Sequence, residues 1–347
     1  MAAIGVVLLY VGAESLVRGV SKLSVQLGMR AAVAGVTVVA FATTAPELMI
    51  GILSGLDYGA TLGLGAIVGS NVANIGLVLG LSALVRPMDI TSETLRRHVP
   101  FMAVAAVLLV ALGLDGTLGR PDGIAFLVVL AVFTYTLLSA TDGEGGVDAE
   151  AVAADGGSVA EPDPATDGGT VGEDVGGDGS ADGGVLAGGR LGSDVSVLGR
   201  RFRPIDVLFV LVGLALLLAG AQRLIEGGRS TLYFLGAGDR FVGLTVLAFG
   251  TSLPELAASL VSAFRGEAEF SVGNVVGSNI YNVLAVLGLL AVLTPVTVPA
   301  STGSFDFPML LAFTGGVIAL MFRGARITRV DGALLVAGYG CFFFFLL

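Results

Sequence analysis

The sequence predicts an all-α membrane protein of ten transmembrane helices, arranged as two inverted five-helix repeats. Three observations predict it. First, 54% of the 347 residues are hydrophobic, only 13% are charged, and the mean hydropathy is +0.91. A soluble domain carries roughly 25% charged residues. That contrast excludes a soluble enzyme, a disordered protein and a nucleic-acid binder. Second, the apolar residues gather into stretches long enough to cross about 30 Å of hydrocarbon. Third, the chain repeats itself at a shift of 208 residues.

The spans fall near 2–17, 31–56, 61–85, 99–114 and 120–140, then near 205–225, 240–264, 270–293, 306–322 and 330–347. Charge in the connecting loops orders them. Of the 18 Lys and Arg residues, 14 lie in one alternate set of loops, around Arg18–Arg30, Arg86–Arg97, Arg190–Arg203, Arg265 and Arg323–Arg329. The other four are Arg120, Arg223, Arg229 and Arg240. Cytoplasmic loops carry the excess of positive charge. The expectation is therefore a multi-pass protein of the cell membrane with both termini outside. Apolar residues follow Met1 directly, with no basic leader, so no cleaved signal peptide is expected.

The formal net charge of −10 has one source. Between Thr141 and Gly199 lie 13 acids and one base, Arg190, so that segment carries −12 and the rest of the chain +2. The segment is rich in Gly, Ala and Ser, and it lacks the apolar surface needed to offset chain entropy. It reads as a disordered cytoplasmic linker over 141–203, between a first repeat at 1–140 and a second at 204–347. Such acidity suits a salt-loving organism such as a halophilic archaeon. The single Cys excludes a disulfide scaffold or a cysteine metal site.

Residues Gly35–Gly80 align with Gly243–Gly288 without a gap, with 20 identities in 46 positions. FATTAPEL returns as FGTSLPEL, and GAIVGSNVAN as GNVVGSNIYN. An odd number of spans per half turns the second half over in the membrane. Inverted repeats of this kind place a transport site at their interface, near the midplane.

Glu47 and its repeat mate Glu255 lie mid-span with no basic residue close by in their own segments. An intramembrane carboxylate costs about 2.5–3.5 kcal/mol on insertion scales. Two at equivalent positions imply a shared compensating cation, in preference to two structural acids. Thr43 stands four residues before Glu47, and Thr251 four before Glu255. Ser70 with Asn74 and Ser278 with Asn282 repeat that spacing, which places each pair on one helix face. Hydroxyl, amide and carboxylate oxygens are hard ligands suited to Ca²⁺, Na⁺ or Mg²⁺, and a flexible cage of them favours Ca²⁺ over Mg²⁺. Pro46 and Pro254 remove a backbone hydrogen bond from the preceding turn, so carbonyls over Ala40–Thr44 and Ala248–Ser252 are expected to be free. Small residues at Ala42, Gly69, Gly250 and Gly277 permit close helix approach.

These paired motifs resemble the two alpha repeats of the cation/calcium exchanger superfamily, and most nearly those of prokaryotic sodium/calcium exchangers. The resemblance covers both halves of the chain. It implies a secondary antiporter that exchanges Na⁺ for Ca²⁺ by alternating access, with both ions as substrates, the bilayer as surroundings and no cofactor. It also implies ion ligands at Thr43, Thr44, Glu47, Ser70 and Asn74, at Thr251, Ser252, Glu255, Ser278 and Asn282, and at the carbonyls of Ala40 and Ala248. Three departures stand out. Thr44 and Ala42 replace the Ser252 and Gly250 of the second copy. Asn282 stands where some members have Asp, which points to potassium independence. The linker is too short and too polar for the folded calcium-sensing domains of animal exchangers.

Other polar residues read locally. Glu14 and Arg18 form an i,i+4 pair, and the repeat mate of Glu14 is Gln222. Asp306 opens a helix. His98 reads as a surface residue, and Phe342–Phe345 as lipid-facing or packing surface. The competing readings are a proton/calcium exchanger, a passive cation channel and a membrane scaffold. No nucleophile–base pair, phosphate loop or cofactor motif points to an enzyme, and no obligate protein partner is inferred.

Overall fold

The computed structural model describes residues 2–26, 29, 31–44, 47–48, 60–143, 195–197, 200–236, 250 and 252–346. Its helices, in chain order, are α1 (Ala2–Gln26), α2 (31–44), α3 (60–85), α4 (Thr94–Gly113), α5 (Arg120–Gly143), α6 (Pro204–Phe234), α7 (Leu253–Arg265), α8 (Ala268–Leu293), α9 (Thr302–Gly324) and α10 (Arg329–Leu346). Among the described residues, seven of these are long and apolar enough to cross a membrane: α1, α3, α4, α5, α6, α8 and α9. α2 and α7 adjoin residues outside the described set.

Burial ranks the helices. The apolar windows of α3 and α8 are 72% and 78% buried, against 22–44% for the other five. A helix apolar on every face belongs inside its neighbours, and α3 and α8 form that centre. Leu64, Ile67 and Val72 of α3 pack with Val276, Ile280 and Leu284 of α8 in the larger core. The peripheral helices turn apolar side chains outward, among them Val104, Val107, Ile124, Val128, Leu208 and Phe322. That surface suits hydrocarbon and not water.

α1 and α6 pack antiparallel through glycine. A side chain on Gly5 would come within 2.6 Å of the Leu224 nitrogen and 2.9 Å of the Gly220 carbonyl. One on Gly213 would come within 2.5 Å of the Leu16 nitrogen and 2.8 Å of the Gly12 carbonyl. Small residues at such interfaces let backbones approach closely. α1 outlasts the span read at 2–17 because its charges are partnered along its length. Arg18 and Arg265 each donate to Glu14 at 2.7 Å, and Lys22 lies 5.9 Å from the Phe209 ring centre.

The 208-residue shift recurs in the backbone. π-Helical stretches occupy Asn74–Leu79 and Asn282–Leu287, and again Thr94–His98 and Thr302–Asp306. Four short strands join loops across the repeat. β1 (Met88–Asp89) pairs antiparallel with β6 (Arg326–Ile327), and β2 (Thr117–Leu118) with β5 (Val296–Thr297). Each strand therefore pairs with one from the opposite half.

Three expectations need correction. The linker range is not wholly irregular, because β3 (Val195–Val197) pairs antiparallel with β4 (Arg200–Phe202), bringing Val195 opposite Phe202. Most of the linker, 144–194, lies outside the described residues. His98 is buried, at 1% exposure, because the first turn of α4 presses it inward. Not all the carbonyls before Pro254 are free. Pro254 stands in the first turn of α7, where its missing N–H is no loss, and the Ser252 carbonyl is not free, since it accepts from the Leu256 N–H at 2.9 Å.

Candidate functional site

The two acids singled out by the repeat are both buried, Glu47 at 5% exposure and Glu255 at 0%. Neither oxygen of either carboxylate has a hydrogen-bond partner among the described residues. Buried charges in proteins are normally paired or bound to a metal. Two such acids in an apolar body, without partners among the described residues, are a candidate site for a cation or for protons.

Local structure places both acids. Glu255 sits in the first turn of α7, and Glu47 in a helical stretch just beyond α2. α2 and α8 meet closely at Gly277, where a side chain would lie 2.5 Å from the Val36 carbonyl and 2.6 Å from Ala40 Cβ. That contact brings Thr43 to α8. Its hydroxyl donates to Asn274 Oδ1 at 3.1 Å and lies 3.5 Å from Ser278 Oγ and 3.3 Å from the Ala40 carbonyl. The Glu255 carboxylate lies near the same hydroxyl.

α3 and α8 contribute the amides. Asn74 and Asn282 each open a π-helical stretch, a local widening frequent at functional sites. Asn282 Nδ2 donates to Ser70 Oγ at 3.1 Å and to Asn71 Oδ1 at 3.0 Å. Ser70 in turn donates to the Ile67 carbonyl, so it must accept from Asn282. Both Asn282 amide hydrogens are then used, and its buried Oδ1 has no partner among the described residues.

The structure thus brings Thr43 together with Ser278 and Glu255, and Ser70 together with Asn282, each across the two halves. Thr44, Ser252 and Asn74 are buried, and among the described residues their hydroxyl and amide groups have no partner. Ala40 is fully buried. Ala248 and Thr251 lie outside the described residues, as does Pro46. Among the described residues no three His, Cys, Asp or Glu side chains cluster, so hydroxyls and amides supply most of the oxygens, a set suited to hard cations.

Sequence reasoning missed Asn71, Ser259 and Asn274. Asn71 and its mate Asn279 are identical in both copies of GSN and were visible as such. Asn274 falls opposite Ala66, so a search for symmetric residues discards it.

The sequence matches the sodium/calcium exchanger protein family over residues 1–139 and 205–347. The chain belongs to this family, whose members are multi-pass membrane antiporters. It is 30% identical to the putative antiporter CaxA of Alkalimonas amylolytica, over 97% of this chain and 94% of that one. It is 27% identical to the sodium/calcium exchanger MaX1 of Methanosarcina acetivorans, over 98% and 95%. A solved structure of the sodium-calcium exchanger NCX_Mj, soaked with zero Na⁺ and Ca²⁺, superposes with a TM-score of 0.75. That match covers 99% of this chain and 97% of the other at 22% identity, and it shows a shared fold.

Proposed function

We propose that this protein exchanges Na⁺ for Ca²⁺ across the cell membrane by alternating access. The observation that carries the reading is the pair of buried carboxylates, Glu47 and Glu255, without partners among the described residues, in a body that also buries hydroxyl and amide groups from both halves. Two negative charges balance one divalent ion or two monovalent ones, which suits ions that compete for overlapping oxygens. The ligands are Thr43, Thr44, Glu47, Ser70 and Asn74 with Thr251, Ser252, Glu255, Ser278 and Asn282, and the carbonyls of Ala40 and Ala248.

The site serves this function within ten crossings, as two inverted repeats with both termini outside and the 141–203 linker in the cytoplasm. Two observations favour that arrangement. The repeat-related helices α1 and α6 run antiparallel, and Gly5 against Gly220 is the repeat mate of Gly213 against Gly12. β1·β6 joins two loops that loop charge assigns to the cytoplasm, and β2·β5 joins two assigned to the outside.

The test is Ca²⁺ uptake into proteoliposomes driven by an outward Na⁺ gradient, with K⁺ present and absent. Uptake that follows Na⁺ and ignores K⁺ supports the reading. Uptake that follows a pH gradient and ignores Na⁺ replaces it with proton/calcium exchange, and flux without any counter-ion replaces it with a channel.

A further inference from the structure

Thr43 offers one hydroxyl proton, and four groups near it can accept: Asn274 Oδ1 at 3.1 Å, the Ala40 carbonyl at 3.3 Å, Ser278 Oγ at 3.5 Å, and the neighbouring Glu255 carboxylate. Which one takes the proton decides what the site presents to a cation. If it turned to Ala40 or Glu255, it would occupy an oxygen the cation needs and point a positive hydrogen at the ion. Directed at Asn274, it leaves the Ala40 and Glu255 oxygens uncovered and exposes the lone pairs of Thr43 itself.

Asn274 is held in the orientation that takes the proton. Its Nδ2 donates to Ser259 Oγ at 3.0 Å and to the Glu255 main-chain carbonyl at 3.3 Å. A carbonyl only accepts, so the amide nitrogen must face α7 and Oδ1 must face Thr43. Asn274, Ser259 and Thr43 are all fully buried, so no solvent competes for these bonds. The same bonds tie the first turn of α7, which carries Glu255, to α8.

We infer that Asn274 is a positioning residue that draws the Thr43 proton out of the ion site and so makes the Thr43 half-site the preorganised one. The repeat places Ala66 at the equivalent position, which offers no acceptor. The two half-sites are therefore built unequal despite their matched ligands. The inference rests on the ion-site reading above and assigns Asn274 no contact with the ion.

The experiment measures Ca²⁺ affinity by titration of detergent-purified protein, and Ca²⁺ KM and kcat by Na⁺-driven uptake in proteoliposomes. The proteins are wild type, Asn274→Ala, Thr43→Val and the double variant. Asn274→Ala is expected to weaken Ca²⁺ binding and raise KM by about tenfold, the scale of one misdirected ligand, with kcat within about twofold of wild type. On the Thr43→Val background its effect should vanish, since no proton remains to direct. An unchanged affinity, or an equal loss in both backgrounds, overturns the inference. Should Asn274→Ala fail to fold, Ser259→Ala removes one anchor of the amide. It should weaken binding about threefold with Thr43 present and not at all on the Thr43→Val background, and any other pattern overturns the inference. A wild type that binds Ca²⁺ without Na⁺-driven uptake removes the exchange reading alone, because the binding comparison still decides the role of Asn274. A wild type that binds no Ca²⁺ removes both.

Discussion

The Asn282 amide donates to the Ser70 hydroxyl at 3.1 Å across 212 residues of sequence. This bond joins the central helix of one half to that of the other inside the candidate site. Because Asn71 takes the second amide hydrogen, Asn282 Oδ1 has a fixed direction. Asn282→Ala removes a proposed ligand and both bonds, and Ca²⁺ KM should rise at least about tenfold. Ser70→Ala should have the smaller effect, since Asn71 still orients the amide. Initial uptake rates over a range of Ca²⁺ concentrations check the order of the two.

Glu47→Gln and Glu255→Gln should each reduce Na⁺-driven Ca²⁺ uptake by at least about a hundredfold, because each removes half the formal charge of the site. Both should fold, and without ions both should be at least as stable as wild type, since an unpaired buried charge is itself destabilising. Saturating Ca²⁺ at about 100 times its Kd should stabilise wild type by about 2.7 kcal/mol and leave the variants unmoved. Thermal unfolding with and without Ca²⁺ reads this directly.

The α1–α6 contact should resist enlargement. Gly213→Val places a branched side chain where even Cβ meets the Leu16 backbone at 2.5 Å. It should lower the melting temperature by several degrees or prevent folding, as overpacking costs about 1–3 kcal/mol. Gly315→Ala, where a Cβ meets nothing within 4 Å, is the neutral comparison.

Glu14 accepts from both Arg18 and Arg265, but these side chains are partly exposed. Glu14→Gln should therefore cost less than about 1 kcal/mol, and the loss should shrink as salt is raised. Denaturation at low and high ionic strength measures it.

Removal of residues 145–190 should leave exchange intact, because that stretch lies outside both repeats. The deletion spares the β3–β4 hairpin and Arg203, whose N–H donates to Gln26 at the end of α1. Loss of transport on this deletion would make the acidic stretch part of the working machine.

Much of this architecture is legible in the sequence. Intramembrane carboxylates are expensive, so Glu47 and Glu255 stand out against an apolar chain. The shift that aligns them also locates the π-helical stretches at Asn74 and Asn282. Where the sequence misleads, the cause is packing. His98 looks like surface because it is a lone polar residue at a helix start, yet the α4 turn buries it. α1 looks short when charge is taken as the end of a span, whereas Arg18 is carried along the helix by Glu14. Asn274 escapes notice because it has no symmetric partner, and only its distances to Thr43 and Ser259 disclose a role.

The strand pairs β1·β6 and β2·β5 have a consequence for biosynthesis. Neither half closes its own loops, since each strand waits for a partner encoded in the other half. A ribosome that has delivered residues 1–140 has made a unit with two open edges. Completion must await the far end of the chain, because Met88 finds its mate only at Ile327. A first half made alone would leave Met88–Asp89 and Thr117–Leu118 without their mates until a second half reached them.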